Sequence, residues 1–334
     1  GQPGLKGWSC TAFCVAPNII ATNAHCIVRN PTMGKRLNLS KTLFILPSFK
    51  QSFAGNTYKH RLTYPEYVHA KKPYLSIYSG SFSEKTPLNS QGQDWAFTKL
   101  IHSVCKGRTL SFADVPLRKI QKAASKDKVF MIGYHGDKQM NERLYSKNCQ
   151  IRSRNNPLYF LKPQRRIMNK QAILLPHTCD AFKGSSGSPI FLETKTGPKV
   201  VGINLGSLRY ERYRIRRNRY TGKIISRKKL KNGKETNMAI QPKVFMAGLK
   251  RFEQETLLNS VGEFKELQKQ LKFLKLYRGR IDGILGSKTR KAIYNFEQQM
   301  KLSKLGLPTE QLLALLLEET SKLRAEQLAE KAKQ

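Results

Sequence analysis

Negative charge is what this 334-residue chain has least of. Twenty-two Asp and Glu stand against 61 Lys and Arg, a formal net charge of +39 at pH 7. A field of that sign attracts polyanions: nucleic acid, anionic lipid, or wall polymers bearing phosphate or carboxylate. The basic residues are distributed along the whole chain, and no zinc-finger, RRM or KH pattern accompanies them, so nucleic-acid binding is a subordinate reading. Long apolar runs are missing as well. The longest, Leu312–Leu317, falls far short of the ~18 residues that a membrane span requires. The first residues show neither a basic n-region nor an apolar h-region, so the chain reads as a mature or trimmed form. Prolines and glycines are spread out, which leaves no low-complexity region. The length sets a prior of about two domains, each large enough to bury a core.

What is present concentrates first in Cys179-Asp180-Ala181-Phe182-Lys183-Gly184-Ser185-Ser186-Gly187-Ser188-Pro189-Ile190. Glycines around a serine, followed by a proline and an apolar run, predict a tight turn entering a buried strand. Such a bend points the Ser186 hydroxyl outward and turns the N–H groups of Gly184 and Ser186 to one side, where they can hold a developing oxyanion. A serine hydroxyl is a weak nucleophile until a base takes its proton, and the base needs an orienting partner. Two segments offer them: Ile19-Ile20-Ala21-Thr22-Asn23-Ala24-His25-Cys26, and Asp94 opening the apolar run Trp95-Ala96-Phe97.

The order His, Asp, Ser in these three local contexts resembles the trypsin-like serine peptidases over roughly residues 8–245. The Gly-Ser-Ser-Gly-Ser-Pro form is most similar to the bacterial V8-like branch. The resemblance implies an all-β double Greek-key barrel, with His25 as general base and acid, Asp94 fixing its tautomer and Ser186 as nucleophile. It implies no cofactor. It also places Asp180, six residues before Ser186, as a buried acid at the base of the substrate pocket, and Asn204 on the pocket wall strand, which together favour cleavage after Lys or Arg. Ser185 stands where animal trypsins carry the acid that receives a new N-terminal amine, so that salt bridge cannot form here. The family's usual strand upstream of Cys10 is missing, displaced or trimmed.

Six cysteines make an even count, which fits an oxidising compartment. The resemblance implies Cys10–Cys26 as the bridge of the histidine loop. Cys149 and Cys179 then suggest a bridge fastening the loop before the nucleophile, which leaves Cys14 with Cys105. A competing reading is a zinc site using Cys10, Cys14, His25 and Cys26, although those spacings match no usual finger.

The expected organisation is a peptidase domain over residues 1–258, with barrels at 1–110 and 127–241 and a closing helix. The stretch 101–126 reads as a basic connection without strong period, and Leu158–Leu161 as one of the second barrel's strands. Residues 208–236 alternate Arg and Tyr around Thr221-Gly222, which suggests a long basic hairpin. Beyond residue 262 the composition changes. Leucines at helical intervals and Gly279-Arg280-Ile281-Asp282-Gly283-Ile284-Leu285-Gly286-Ser287-Lys288-Thr289 resemble a small peptidoglycan-binding-like domain over residues 263–318, an all-α three-helix unit with Ser287 as an N-cap. Residues 319–334 read as a frayed or extended solvated helix.

Together these readings point to an extracytoplasmic serine endopeptidase, whether periplasmic, wall-associated or secreted. Its expected partners are a protein or peptide substrate, peptidoglycan or an anionic wall polymer, and polyanions at the basic surface. The alternative is a non-catalytic wall- or polyanion-binding protein on a peptidase scaffold.

Overall fold

A computed structural model describes residues 10–27, 44–46, 61–63, 67–68, 74–81, 91–134, 143–153 and 173–332. The stretch Leu158–Leu161, read above as a strand, lies outside the described residues. The strands are β1 (Phe13–Ala16), β2 (Ile19–Thr22), β3 (Phe44–Leu46), β4 (Arg61–Thr63), β5 (Tyr67–Val68), β6 (Tyr74–Leu75), β7 (Ile77–Ser79) and β8 (Ala96–Lys99) in the first part. They continue as β9 (Val129–Tyr134), β10 (Arg143–Ser146), β11 (Leu174–His177), β12 (Pro189–Leu192), β13 (Lys199–Arg217) and β14 (Ile224–Ile240). Helices are α1 (Ala24–Ile27), α2 (Leu117–Ala124), α3 (Met246–Gln254), α4 (Val261–Phe273), α5 (Ser287–Gln299) and α6 (Glu310–Lys331). The fold is thus mostly β, followed by a helical region.

Two antiparallel sheets position the chemistry. One has the order β1-β2-β8-β7 and the other β10-β9-β12-β13-β14-β11. Strand β2 is buried at all four positions because it lies between two neighbours, and its Ile-Ile-Ala-Thr sequence is apolar throughout, as a strand covered on both faces must be. Its register pairs Thr22 with Ala96. Two residues further along each strand, the same antiparallel register carries the start of α1 beside Asp94. Strand β12 is central in the second sheet, between β9 and β13, and is likewise buried along its length. It leaves directly from the Gly-Ser turn, which is therefore held against a fixed core. The connection 101–126 contains α2, whose Ile120 and Ala124 face the second sheet's core; that short period was missed in the sequence.

The helical region packs on the β-rich part. Phe245 and Phe252, flanking and within α3, meet the rings of Trp95, Phe97, Phe112 and Tyr78, with Phe97 and Phe245 centroids 4.9 Å apart. Gly248 sits at the closest approach: a Cβ there would lie 2.0 Å from the Tyr78 hydroxyl oxygen. One apolar core then runs on through Leu257, Phe264, Leu267, Ile293, Phe296 and Leu316. Fully buried Glu297 on α5 accepts from Arg251 Nη1 of α3 at 2.7 Å and from the Leu305 and Gly306 N–H groups at 3.1 and 3.0 Å. Burial holds its carboxyl above the ordinary pKa in spite of these partners, so the pair fixes how the two parts dock more than it adds stability.

The Gly279–Thr289 motif is consumed by the fold. Buried Gln268 donates to Asp282 Oδ1 and the Ile284 carbonyl and accepts from the Asp282 and Gly283 N–H groups, while Thr289 Oγ1 donates to Ile284 O. Ser260 and Glu263 form a capping box at the start of α4, so residues 260–262 begin a helix. One expectation is corrected. The N-cap of α5 is Gly286 and Ser287 is its first helical residue, making no cap bond. Residues 319–331 continue α6 without a break and are exposed from residue 321 onward, with Arg324 over the Phe273 ring at 4.8 Å.

A shared core predicts that the β-rich and helical parts unfold together. Urea denaturation followed by Trp fluorescence and far-UV circular dichroism should give coincident transitions. Glu297→Ala leaves Arg251 its Glu255 and Ser303 partners but takes the acceptor from the buried Leu305 and Gly306 N–H groups, which should cost roughly 2 kcal/mol and separate the two curves.

Candidate active site

His25 lies in the first turn of the short helix α1, beside Asp94, which precedes β8. Asp94 is nearly buried and accepts twice from the same residue: from the His25 N–H on Oδ1 at 2.9 Å, and from His25 Nδ1 on Oδ2 at 2.7 Å. Asn23 Nδ2 holds the Asp94 carbonyl at 2.8 Å. A carboxylate only accepts, so Nδ1 carries the proton and Nε2 is left as the basic nitrogen.

The Gly-Ser turn is built from backbone that only glycine adopts easily. Gly184 and Gly187 have φ of +95° and +88°, and a Cβ on Gly187 would lie 2.1 Å from the Thr11 carbonyl oxygen. Inside the turn, the Ser185, Gly187 and Ser188 N–H groups donate to the carbonyls of Phe182, Asn204 and Ser185. Those of Gly184 and Ser186 find no acceptor among the described residues. Ser186 is half-buried, and its hydroxyl donates to the Leu205 carbonyl at 3.3 Å.

Three braces hold this turn. Thr11 donates its N–H to Ser186 O at 2.8 Å and its hydroxyl to Gly184 O at 2.9 Å, while its own carbonyl accepts from Thr22 Oγ1 at 2.8 Å. Cys10 is disulfide-bonded to Cys26, tying the residue before Thr11 to the residue after His25. From the other side, Asn204 Nδ2 donates to Ser185 O at 2.8 Å and to Ser185 Oγ at 3.2 Å, and its Oδ1 accepts from the Gly206 N–H and pairs with His177 Nε2 at 3.1 Å. Further bridges join Cys14 to Cys105 and Cys149 to Cys179. The ring of His25 lies near the sulfurs of Cys10 and Cys26, but those sulfurs are spent on each other, so no thiolate is left there for zinc.

Two sequence expectations are corrected here. Asn204 does not line a pocket; it is fully buried with both ends of its amide engaged, and it braces the turn. Asp180 is exposed rather than buried, with its N–H held by Ser146 Oγ at 3.0 Å. Sequence reasoning missed Thr11, His177 and the use made of Ser185. Nothing in the neighbourhood of Thr11 marks it, and His177 in an apolar strand carries no signal beyond burial.

His177 is fully buried, and desolvation pushes its imidazole down to about 4 although the Asn204 bond favours the charged form. The unfolded chain takes up this proton below about 6.5, whereas the folded protein resists until about 4. Stability is therefore full above pH 6.5 and falls as pH drops toward 4, by on the order of 3 kcal/mol from this group. Urea unfolding at pH 7.5 and 4.5 should show that acid-side loss shrinking in His177→Gln.

Residues 10–203 match the trypsin-like peptidase domain family, and residues 260–316 match the peptidoglycan binding domain family. No curated protein matches the chain. One similar solved structure is the secreted serine protease VesC from Vibrio cholerae, 12% identical with a TM-score of 0.45, covering 77% of this chain and 45% of that one. The chain therefore spans less than half the length of that protease. The first family match takes in well over half of the sequence and includes His25, Asp94 and Ser186. The chain belongs to the trypsin-like peptidases.

Proposed function

We propose that the protein is a serine endopeptidase that hydrolyses peptide bonds through an acyl-enzyme, with Ser186 as nucleophile, His25 as general base and acid, and Asp94 as the orienting carboxylate. The observation that carries the reading is the doubly held His25–Asp94 pair, with its protonated Nδ1, together with a nucleophile turn in which two N–H groups find no acceptor among the described residues. In the reaction, Ser186 Oγ gives up its bond to Leu205 O and attacks the scissile carbonyl while its proton passes to His25 Nε2. The Gly184 and Ser186 N–H groups receive the oxyanion. His25 then protonates the leaving amine, and water repeats the sequence on the acyl group.

The rest of the assignment follows the family. The two sheets correspond to the paired Greek-key barrels of a double-barrel peptidase, with barrels near 1–110 and 127–241, and the turn sequence supports the V8-like branch. Residues 263–318 form the wall-directed unit that brings the peptidase to peptidoglycan. Three disulfides and the wall-binding match support a periplasmic, wall-associated or secreted location. Asp180 supports a preference for Lys or Arg at the cleaved bond, but an exposed carboxylate gives a weak one, since exposed ion pairs contribute up to about 1 kcal/mol.

A serine-directed fluorophosphonate should label the folded protein and fail on Ser186→Ala and His25→Ala. Folded protein that takes no label would overturn the assignment in favour of a non-catalytic wall-binding scaffold. Cleavage sites mapped in a denatured protein mixture should cluster after Lys and Arg, with Asp180→Ala lowering that preference by roughly fivefold.

A further inference from the structure

The ribbon formed by β13 and β14 outruns the sheet that starts it. From Leu208 paired with Thr236 to Arg217 paired with Ile224, the two strands pair only with each other among the described residues. At ~3.4 Å per residue this arm reaches about 30 Å beyond the sheet. Two strands alone are marginally stable in water, so an arm of this length gains from a surface that covers one side.

Its outer half has an unusual composition. Between residues 212 and 230 there are nine Arg and Lys and no acid. Arg214 pairs directly with Lys228, like charges side by side, with Arg216 next along the same face. Such a pair is destabilising without an anion against it. The same region exposes large apolar groups: Tyr220 at the tip is 96% exposed, Ile225 67%, Ile224 52% and Ile215 46%. Ile215 and Arg217 alternate with Arg214 and Arg216 and therefore lie on the opposite face. Cations and exposed apolar side chains are thus mixed at one end of one arm.

We infer that the outer half of the β13–β14 ribbon is a docking arm for an anionic phospholipid bilayer. A bilayer surface is a partner that uses both properties. Its phosphates neutralise the arginines and lysines, and its interfacial zone accepts Tyr220 and the isoleucines, while the long basic side chains reach back to the headgroups. A nucleic-acid duplex or an acidic polypeptide satisfies the charge but leaves the isoleucines in water. A second copy of the arm would bring nine further cations against these nine, which disfavours edge-to-edge pairing. No described helix is long and apolar enough to cross a membrane. The inference does not rest on the peptidase reading, because Ser186→Ala should bind lipid unchanged.

The test is flotation of the full chain with vesicles of phosphatidylcholine alone, or of phosphatidylcholine and phosphatidylglycerol at 3:1. Binding is expected only to the anionic vesicles. Replacing Arg214, Arg216 and Lys228 with Ser should weaken it at least tenfold. The same charge removed from exposed α2, by Arg118→Ser with Lys119→Ser and Lys122→Ser, should change it less than twofold. Ile224→Ser with Ile225→Ser should also weaken binding at least fivefold, and Tyr220→Trp should show a blue-shifted emission on anionic vesicles. Equal losses from the ribbon and α2 variants would overturn the inference, as diffuse attraction by the whole protein. Loss on charge removal with no effect of the isoleucine variant and no blue shift would also overturn it, as would tighter binding to duplex DNA or to a soluble polyanion than to the vesicles. Unaltered far-UV circular dichroism and urea midpoint of each variant would show that it is folded.

Discussion

Thr11 carries the constraint on which the rest of the site depends. One residue spends its N–H and its hydroxyl on the nucleophile turn and its carbonyl on Thr22, the last residue of the strand leading to His25. The disulfide at Cys10 repeats the link covalently, since its partner Cys26 adjoins His25. The two sheets thus meet through a short segment that belongs wholly to neither. A reaction requiring proton transfer between groups on different sheets tolerates little relative drift, and this doubled connection supplies the needed rigidity. The close fit of Gly187 under the Thr11 carbonyl shows how tightly the parts are drawn together.

Opposite Thr11, the buried chain from His177 through Asn204 to Ser185 braces the same turn. Animal trypsins fasten this position with a charge that arrives on activation. Here a neutral amide does the work from within the folded core. None of these bonds uses an N-terminal amine. The cost of the bracing is a buried imidazole that resists protonation.

The helical region is part of the same body. Its core is continuous with the aromatic cluster behind β8, and Glu297 fixes the docking through Arg251. The motif that gives the region its family likeness is occupied internally by Gln268, Asp282 and Thr289. Those residues explain why the fold forms.

How much could be read in advance differs by residue. His25, Asp94 and Ser186 were legible because each sits in a local pattern with its own reason: a buried strand running into small residues, an acid at a strand start, a serine between residues with unusual backbone angles. Ser287 was misassigned as a cap because capping depends on one residue's dihedrals, which neighbouring Gly286 adopts more cheaply. The tail beyond residue 318 alternates Glu and Lys, and from residue 321 onward it is an exposed helix, as that pattern implies.

By itself, the sequence determined the local chemistry: which side chains are nucleophile, base and acid by type, where strands and helices start, and how strongly basic the chain is. Only the tertiary structure decided that Asn204 is spent inside while Asp180 faces water, that Thr11 joins the two sheets, and that the outer half of the basic hairpin pairs with no other described strand. The reason is physical. Backbone preference and hydrophobic period act over a few neighbours, whereas burial and hydrogen-bond partnership are settled between residues as far apart as Thr11 and Gly184, and leave no mark near either one.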